Sequence, residues 1–327
     1  TVSNLLLGST IVLYDGSPFY PNTNRVISMT KDTKSTMLGA GAKIYETIQN
    51  KYKSNKKNVL KKISCFISTG SPLSPETFKF INKNLNSQSF IHSVSGGTDI
   101  VSCFMLGIPT LPVYSGEIQG PGLGMNIDVY NEKGKPTKKT GELVCKTPFP
   151  SKPIYFWNDK LNRKYKSAYF EKFPNIWAHG DYVKKTNNGG YVIFGRSDAT
   201  LNPGGVRIGT SEIYQQVEDI DFVTEGLVVG QDYNDDVRII LFVTTKKNQE
   251  LNEEEIKLIK SKIRKNCSPK HVPAIIIKVP EIPRTKSGKI VELAVRQIIN
   301  GEKIDNKEAI ANPEALNYFK NLSQLKL

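Results

Sequence analysis

Short apolar blocks alternate with turns rich in glycine and proline over the first two-thirds of the chain. Blocks of this kind predict strands that are at least partly buried. We expect strands at Ile11–Tyr14, Ile63–Ile67, Ser89–Val94, Met125–Tyr130, Gly141–Lys146, Trp177–Lys185 and Tyr191–Gly195. The last four are expected to pair in chain order as two hairpins. The connection of the second hairpin, at residues 187–190, has residue types that suit positive φ angles.

One helix in this first part is indicated by the residues at its start. Ser74 suits the N-cap position and Pro75 the first helical position. Downstream, Phe78, Ile81 and Leu85 recur at the spacing of one helix face. We therefore expect a helix that begins at Pro75 and buries this face.

The pattern changes after Asp198, where longer strands and amphipathic helices replace the short blocks. Strands are expected at Phe222–Gly230, Val237–Thr245 and Val272–Val279, and helices at Asn252–Lys265 and Ile290–Ile299. We therefore predict two domains, residues 1–198 and residues 199–327, joined near residues 196–202. The second is expected to be a compact α+β unit with its own core.

The composition is that of a globular protein, with 38% apolar and 23% charged residues. No stretch approaches the ~20 apolar residues that cross a bilayer, so we expect no membrane-spanning helix. The four cysteines show neither disulfide nor metal spacing. Their arrangement favours a reducing compartment, and we expect the cytosol.

The net charge of +14 lies almost entirely in residues 1–198, which hold 26 basic and 13 acidic residues. It is concentrated in lysine runs within residues 51–62, 133–139 and 160–172. We interpret these runs as solvated surface, with attraction of a polyanionic small molecule or of nucleic acid as alternatives. Nucleic-acid binding is disfavoured because the runs lack interleaved aromatic residues.

Five segments are too polar or too rich in glycine for the elements that they interrupt: Ser68–Pro72, Ser95–Asp99, His179–Asp181, Gly195–Gly209 and Pro283–Lys289. Glycine-rich turns let backbone amides approach phosphate, while a threonine hydroxyl and a carboxylate can serve phosphate and Mg²⁺. A carboxylate can also accept from two ribose hydroxyls, and an arginine fork donates in pairs to phosphate. Taken singly, each segment is more often an ordinary turn or surface loop.

In this order, the five segments resemble the later motifs of the adenylate-forming superfamily. The stretches Val12–Pro18, Ser68–Pro75, Ser95–Ile100, Gly195–Arg207 and Asn312–Leu316 are similar to its acetoacetate-activating branch in particular. The resemblance covers essentially the whole chain. It implies an α/β fold combined with α+β: the C-terminal part of the large AMP-binding domain, with mixed sheets and a small β-barrel, then a compact α+β C-terminal domain.

The resemblance implies an acid–thiol ligase that uses ATP, Mg²⁺ and coenzyme A. Acetoacetate attacks the α-phosphate of ATP, which gives an acyl-adenylate and pyrophosphate, and the thiol of coenzyme A then displaces AMP. Anions meet in the first step, so cationic groups and a metal are needed to offset their repulsion. The implied context is the cytosol, where the enzyme would supply ketone-body carbon to lipid and fatty-acid metabolism. The implied partners are small molecules, and we expect binding to neither nucleic acid nor a membrane.

The same resemblance assigns roles to individual residues. ATP and AMP binding is implied for Gly70, Ser71, Pro72, Gly96, Gly97, Thr98, Asp181, Arg196 and Arg207. Coenzyme A contacts are implied for Gly204, Gly205 and Arg264. Lys289 and Thr98 correspond to catalytic residues, Asp99 to the Mg²⁺-associated acid and Asp198 to the hinge between domains.

Two departures from the family pattern affect this interpretation. Asp99 stands where the wider superfamily has glutamate, although it fits the acetoacetate branch. The sequence contains no loop rich in serine, threonine and glycine that ends in Pro-Lys. We therefore expect the C-terminal part of a longer enzyme, inactive by itself. A ligase for another short acid, such as acetate or propionate, and a non-catalytic homologue remain as alternatives.

Overall fold

The computed structural model describes residues 2–51, 57–234, 236–247, 249–286, 288–304 and 307–325. Part of one predicted lysine run, residues 52–56, lies outside that description. The chain forms two compact units, the first made of residues 1–127, 147–155 and 185–192 and the second of residues 128–146, 156–184 and 193–327. The domain division expected after residue 198 stays a prediction.

A parallel sheet forms the centre of the first unit. Its strands are β1 (Met37–Gly41), β2 (Cys65–Thr69) and β3 (Phe90–Ser93), in the order β1-β2-β3. The helices are α1 (Val2–Leu6), α2 (Arg25–Asp32), α3 (Ala42–Lys51) and α4 (Pro75–Phe80), and α4 continues as one π-helical turn over Ile81–Leu85. Tyr45 of α3 packs edge-on against Phe66 of β2, and both side chains are fully buried.

The predicted start and inner face of α4 are confirmed. The Ser74 hydroxyl accepts the backbone N–H of Thr77 at 3.2 Å, which is the hydrogen bond expected of an N-cap. Phe78, Ile81 and Leu85 are buried in the core of the first unit. Local capping and apolar spacing were therefore sufficient to place this helix.

The strand predicted at Ile11–Tyr14 is wrong. These residues belong to no strand, and Leu13 is 82% exposed. An apolar run becomes a strand only where a partner satisfies its backbone N–H and C=O groups, and within the described residues this run has no strand partner. The sequence pattern shows that these residues are apolar, but it does not show whether another strand pairs with them.

Three short antiparallel strands follow in the first unit. They are β4 (Ser95–Gly97), β5 (Ser102–Leu106) and β6 (Gly120–Pro121), in the order β4-β5-β6. The buried amide of Gln119 closes the loop between β5 and β6. Its Oε1 accepts the backbone N–H of Ile108 at 3.0 Å, and its Nε2 donates to the Ile108 carbonyl oxygen at 3.1 Å.

Both predicted hairpins are confirmed in a four-stranded sheet. Its strands are β7 (Ile127–Tyr130), β8 (Gly141–Cys145), β9 (Trp177–Lys185) and β10 (Tyr191–Arg196), in the order β10-β9-β8-β7. In the connection between β9 and β10, Gly189 has a φ of +86°. Helix α5 (Arg163–Phe170) precedes β9, and its Tyr169 stacks on Trp177 with ring centroids 3.6 Å apart.

The rest of the second unit contains the strands and the two helices predicted after residue 198, together with one helix, α6, that was not predicted. A sheet of β11 (Val223–Tyr233), β12 (Asp236–Thr245) and β13 (Ile275–Lys278) is accompanied by α6 (Thr210–Glu218), α7 (Glu253–Asn266) and α8 (Glu292–Ile299). Neighbouring residues of β11 belong to opposite cores: Val228 to the cluster with Ile259 and Ile263 of α7, and Leu227 to the cluster with α8. Both faces of this sheet are therefore buried.

The predicted fold class, mixed α/β with several sheets, is confirmed. The four sheets that the described residues form have linear strand orders, and the predicted small β-barrel is not among them. Within the described part of the chain, no helix combines the length and the apolar character needed to cross a membrane.

Candidate active site

Two residues with a predicted role in ATP and AMP binding, Asp181 and Arg196, meet on neighbouring strands. Asp181 lies in β9 and Arg196 ends β10, and Nη1 of Arg196 is 3.4 Å from Oδ1 of Asp181. The same Nη1 donates to the carbonyl oxygen of His179 at 3.0 Å. The Asp181 side chain is only 13% exposed, so the carboxylate is held at a defined position against a cation.

This corner is supported by a buried carboxylate that the sequence analysis missed. Glu142 of β8 is 2% exposed, and its Oε1 accepts the backbone N–H of Gly180 at 2.7 Å and the hydroxyl of Ser197 at 3.1 Å. Its Oε2 pairs with the ammonium of Lys172. Because Gly180 and Ser197 flank Asp181 and Arg196 in sequence, Glu142 connects the two strands beneath the site. A lone glutamate in an apolar strand was the only signal available.

The backbone at Gly180 requires glycine for two reasons. Its φ is +83°, a region that other residues rarely adopt, and the guanidinium of Arg196 lies directly beside it. A Cβ at this position would come within 2.3 Å of Nη2 of Arg196. The glycine of the predicted His179–Asp181 segment therefore makes room for the arginine.

Arg196 also contacts the predicted hinge residue. Its Nη2 lies 3.3 Å from Oδ2 of Asp198, and its Nε lies 3.4 Å from Oδ1. Burial lowers the pKa of the guanidinium, but the carboxylates of Asp198 and Asp181 outweigh this and raise the pKa overall. The arginine stays cationic, and it links Asp198 to Asp181.

The predicted coenzyme A loop extends from a short antiparallel bridge. Leu201 and Ile208 exchange two backbone hydrogen bonds of 2.9 Å, and both are buried. Between them, Gly204 and Gly205 are exposed and have φ angles of +56° and +73°. The guanidinium of Arg207, which ends the loop, lies 5.6 Å from the centroid of the Tyr182 ring and 3.5 Å from Oε1 of Glu132.

Lys289 is exposed on a tight turn in the second unit. The backbone N–H of Thr285 donates to the carbonyl oxygen of Lys289 at 2.8 Å. Arg284 supports the turn by donating from Nη1 to the Gly288 carbonyl oxygen at 2.6 Å and from Nη2 to Glu225 at 2.7 Å. Ser287, part of the predicted segment, lies outside the described residues. Arg264 is exposed in the last turn of α7.

The remaining predicted site residues lie in the first unit. Gly70 follows β2 with a φ of +88°, Ser71 beside it is exposed, and Pro72 is half-buried. Gly96 and Gly97 belong to β4, and the exposed Thr98 and Asp99 form the turn after it. Among the described residues, no group of three or more metal-ligating side chains is found.

Gly96 has a structural role that is independent of any nucleotide. A Cβ at this position would lie 2.0 Å from the carbonyl oxygen of Ser102 and 2.7 Å from the Cα of Cys103, both backbone atoms of the paired strand β5. We expect Gly96→Ala to lower the free energy of unfolding by about 1–3 kcal/mol, the usual cost of overpacking.

Urea unfolding of this chain measures that effect, and Gly39→Ala is the matched control. Gly39 lies in β1, where an added Cβ meets no atom within 4 Å. We expect the midpoint of unfolding to fall for Gly96→Ala and to change little for Gly39→Ala. Equal midpoints for the two variants would show that β4 and β5 can separate at little cost.

The chain has related sequences over almost its whole length. The sequence model of the family described as AMP-binding enzyme matches residues 1–155. The chain is 52% identical over 326 residues to acetoacetyl-coenzyme A synthetase of Rhizobium meliloti (strain 1021), covering 99% of this chain and 50% of that protein. Identity to acetoacetyl-CoA synthetase of Gallus gallus is 44% over 330 residues, covering 99% of this chain and 49% of that protein.

The family match thus lies in the first half of the chain, over residues 1–155. The predicted resemblance to the adenylate-forming enzymes is thereby confirmed. The chain is also similar in structure to acetoacetyl-CoA synthetase from Streptomyces lividans, with a TM-score of 0.89 and 39% identity, over 99% of this chain and 50% of that one. The chain spans about half the length of the relatives that it matches.

The predicted site residues thus fall into two sets. The second unit holds Asp181, Arg196, Asp198, Gly204, Gly205, Arg207, Arg264 and Lys289. The first unit holds the others: Gly70, Ser71, Pro72, Gly96, Gly97, Thr98 and Asp99. Within the second unit, the structure brings Asp181, Arg196 and Asp198 together. The roles carried over from the family for these residues remain predictions.

Proposed function

We propose that this chain is part of an acetoacetate–CoA ligase. The enzyme would adenylate acetoacetate with ATP, release pyrophosphate, and transfer the acetoacetyl group to coenzyme A with release of AMP. The observation that carries the proposal is the 52% identity to the Rhizobium meliloti acetoacetyl-coenzyme A synthetase over 99% of the chain. The similarity in structure to the Streptomyces lividans synthetase also supports it.

The contacts in the second unit suit this chemistry. Asp181 would accept hydrogen bonds from the ribose hydroxyls, because its carboxylate is held in place while part of it stays accessible. Arg196 and Arg207 supply planar forks that can donate in pairs to phosphate oxygens. Lys289 supplies an exposed ammonium that can approach the carboxylate and the α-phosphate while like charges meet in the transition state.

The proposal includes Mg²⁺, which the family resemblance implies. Asp99 offers one exposed carboxylate in the turn after β4, next to the hydroxyl of Thr98. Mg²⁺ is commonly held by one or two carboxylates together with substrate phosphates and water, so a single protein carboxylate fits. Asp99 would hold the metal, and the metal would neutralise charge on the phosphates when bound.

We also propose that the enzyme acts in the cytosol, in lipid and ketone-body metabolism. Its four cysteines are free thiols, two of them buried, which suits a reducing compartment. The substrates are small molecules: acetoacetate, ATP and coenzyme A. A ligase for acetate or propionate is the second candidate, because the residues that line the acid-binding pocket decide which short acid is activated.

The test is a spliced enzyme made from the Rhizobium meliloti synthetase. The half of that synthetase that this chain matches is replaced by this chain, and the other half is kept. We expect acetoacetate-dependent ATP–pyrophosphate exchange from the spliced enzyme and at least about 10²-fold less from the 327-residue chain alone. The reason is that the chain lacks a serine-, threonine- and glycine-rich loop to bind the β- and γ-phosphates.

Three controls make the result decisive. The intact Rhizobium meliloti enzyme shows that the assay works, circular dichroism shows that the spliced enzyme is folded, and acetate and propionate replace acetoacetate in parallel reactions. A higher kcat/KM with acetate or propionate would favour the second candidate. A folded enzyme that activates none of the three acids would identify a non-catalytic homologue.

A further inference from the structure

A glycine-rich loop, residues 202–209, is held at Gly204 and at Gly209 by two carboxylates that the sequence analysis did not single out. The loop leaves the core at buried Leu201 and returns at buried Ile208. Two successive glycines within it have positive φ angles. Such a segment has many accessible conformations when free, so a single conformation needs partners outside the loop.

Asp236 provides the first of these contacts. Both of its carboxylate oxygens lie within hydrogen-bonding distance of the Gly204 backbone N–H, at 2.8 and 3.0 Å. The Gly204 and Val237 N–H groups lower the pKa of this carboxyl, and the charge of Lys270 lowers it further. The carboxylate is therefore the form that holds the loop.

Glu212 provides the second contact, at the other end of the loop. Its Oε1 accepts the Gly209 backbone N–H at 2.8 Å, where α6 begins. Its Oε2 lies 3.3 Å from Nε2 of His271. One glutamate thus joins the end of the loop to a separate turn of the chain.

That turn, Pro269–His271, carries a basic residue opposite each carboxylate. His271 faces Glu212, and the ammonium of Lys270 lies beside Gly204, where a Cβ would come within 2.5 Å of its Nζ. The Ser268 hydroxyl holds the turn by accepting the Lys270 N–H at 3.3 Å and bonding Nδ1 of His271 at 2.8 Å. This turn therefore places one positive charge near Asp236 and one hydrogen-bonding partner against Glu212.

We propose that Asp236 and Glu212 are positioning residues that hold the 202–209 loop in the conformation that receives coenzyme A. The proposal rests on the proposed function, which assigns coenzyme A to Gly204 and Gly205. The two carboxylates act on the loop backbone. Removing either one releases the loop and weakens coenzyme A binding without altering the ribose-binding corner at Asp181.

The experiment combines two measurements on this chain. Hydrogen–deuterium exchange of a peptide that covers residues 202–209 reports the loop itself, and equilibrium titration with coenzyme A and, separately, with AMP reports binding. Asp236→Ala and Glu212→Gln are compared with Asp232→Asn. Asp232 is an exposed carboxylate of β11 opposite Val237, and so lies close to Asp236. Circular dichroism confirms the fold, and Asp236→Asn serves as a milder variant.

We expect about 10-fold faster exchange of the loop and about 10-fold weaker coenzyme A binding in both test variants, with AMP binding unchanged and Asp232→Asn like the parent. Unchanged exchange in Asp236→Ala, Asp236→Asn and Glu212→Gln would overturn the positioning role. Faster exchange with unchanged coenzyme A affinity would separate the loop from coenzyme A and overturn the proposal. A parent chain that binds no coenzyme A would count against the proposed function, while the exchange data would still decide whether the carboxylates hold the loop.

Discussion

Replacing Lys289 with alanine in the spliced enzyme will lower acetoacetyl-adenylate formation by at least about 10²-fold, while thioester formation from ready-made adenylate will change little. The ammonium is exposed on a turn whose backbone is closed by the Thr285 hydrogen bond and supported by Arg284. A preorganised cation of this kind stabilises charge that develops in the transition state. Pyrophosphate exchange measures the first step, and acetoacetyl-CoA release from added adenylate measures the second.

Lys286→Ala is the matched control for this prediction. Lys286 is an exposed lysine of the same turn, and its backbone N–H donates to the Ala309 carbonyl oxygen at 3.1 Å. Removing its side chain lowers the local positive charge equally but leaves Lys289 in place. Equal losses in both steps for Lys289→Ala would show that the lysine has a structural role. Equal losses of adenylation for the two variants would show that only the local positive charge matters.

Proline at position 198 is expected to leave adenylate formation largely intact and to abolish detectable thioester formation in the spliced enzyme. If Asp198 is the hinge, the chain has to adopt two sets of backbone angles there. Proline fixes φ near roughly −65° and removes an N–H, so one of the two becomes inaccessible. The measurement compares accumulated acetoacetyl-AMP with released acetoacetyl-CoA, with circular dichroism to confirm folding.

Asp198→Ala is the control, because Asp198 has a second role in the structure. Its carboxylate pairs with the guanidinium of Arg196, and any substitution removes that pair. The alanine variant loses the ion pair but keeps the freedom of φ, so it is expected to release thioester. A folded proline variant that makes acetoacetyl-CoA at the parental rate would place the pivot at another residue.

Local patterns predicted most of the elements. The capping at Ser74, the hairpin turn with Gly189 and the isoleucine spacing of α7 all act over a few residues, so the sequence carries them directly. Ile11–Tyr14 failed because a strand depends on a partner elsewhere in the chain. The resemblance to adenylate-forming enzymes supplied the site residues that periodicity alone leaves as ordinary turns.

The residues that hold the site in place were decided only by the tertiary structure. Glu142 and Asp236 carry no local motif, and each accepts a backbone N–H from a residue far away in the sequence. Glu212 caps its own helix at Gly209, but its contact with His271 joins segments that are distant in sequence. The sequence by itself determined which residue types are available and which short segments begin helices, turns and strands. Which carboxylate reaches which amide depends on strand register. It also depends on how closely another side chain can approach the backbone of a glycine such as Gly180. Both are set only when distant segments pack.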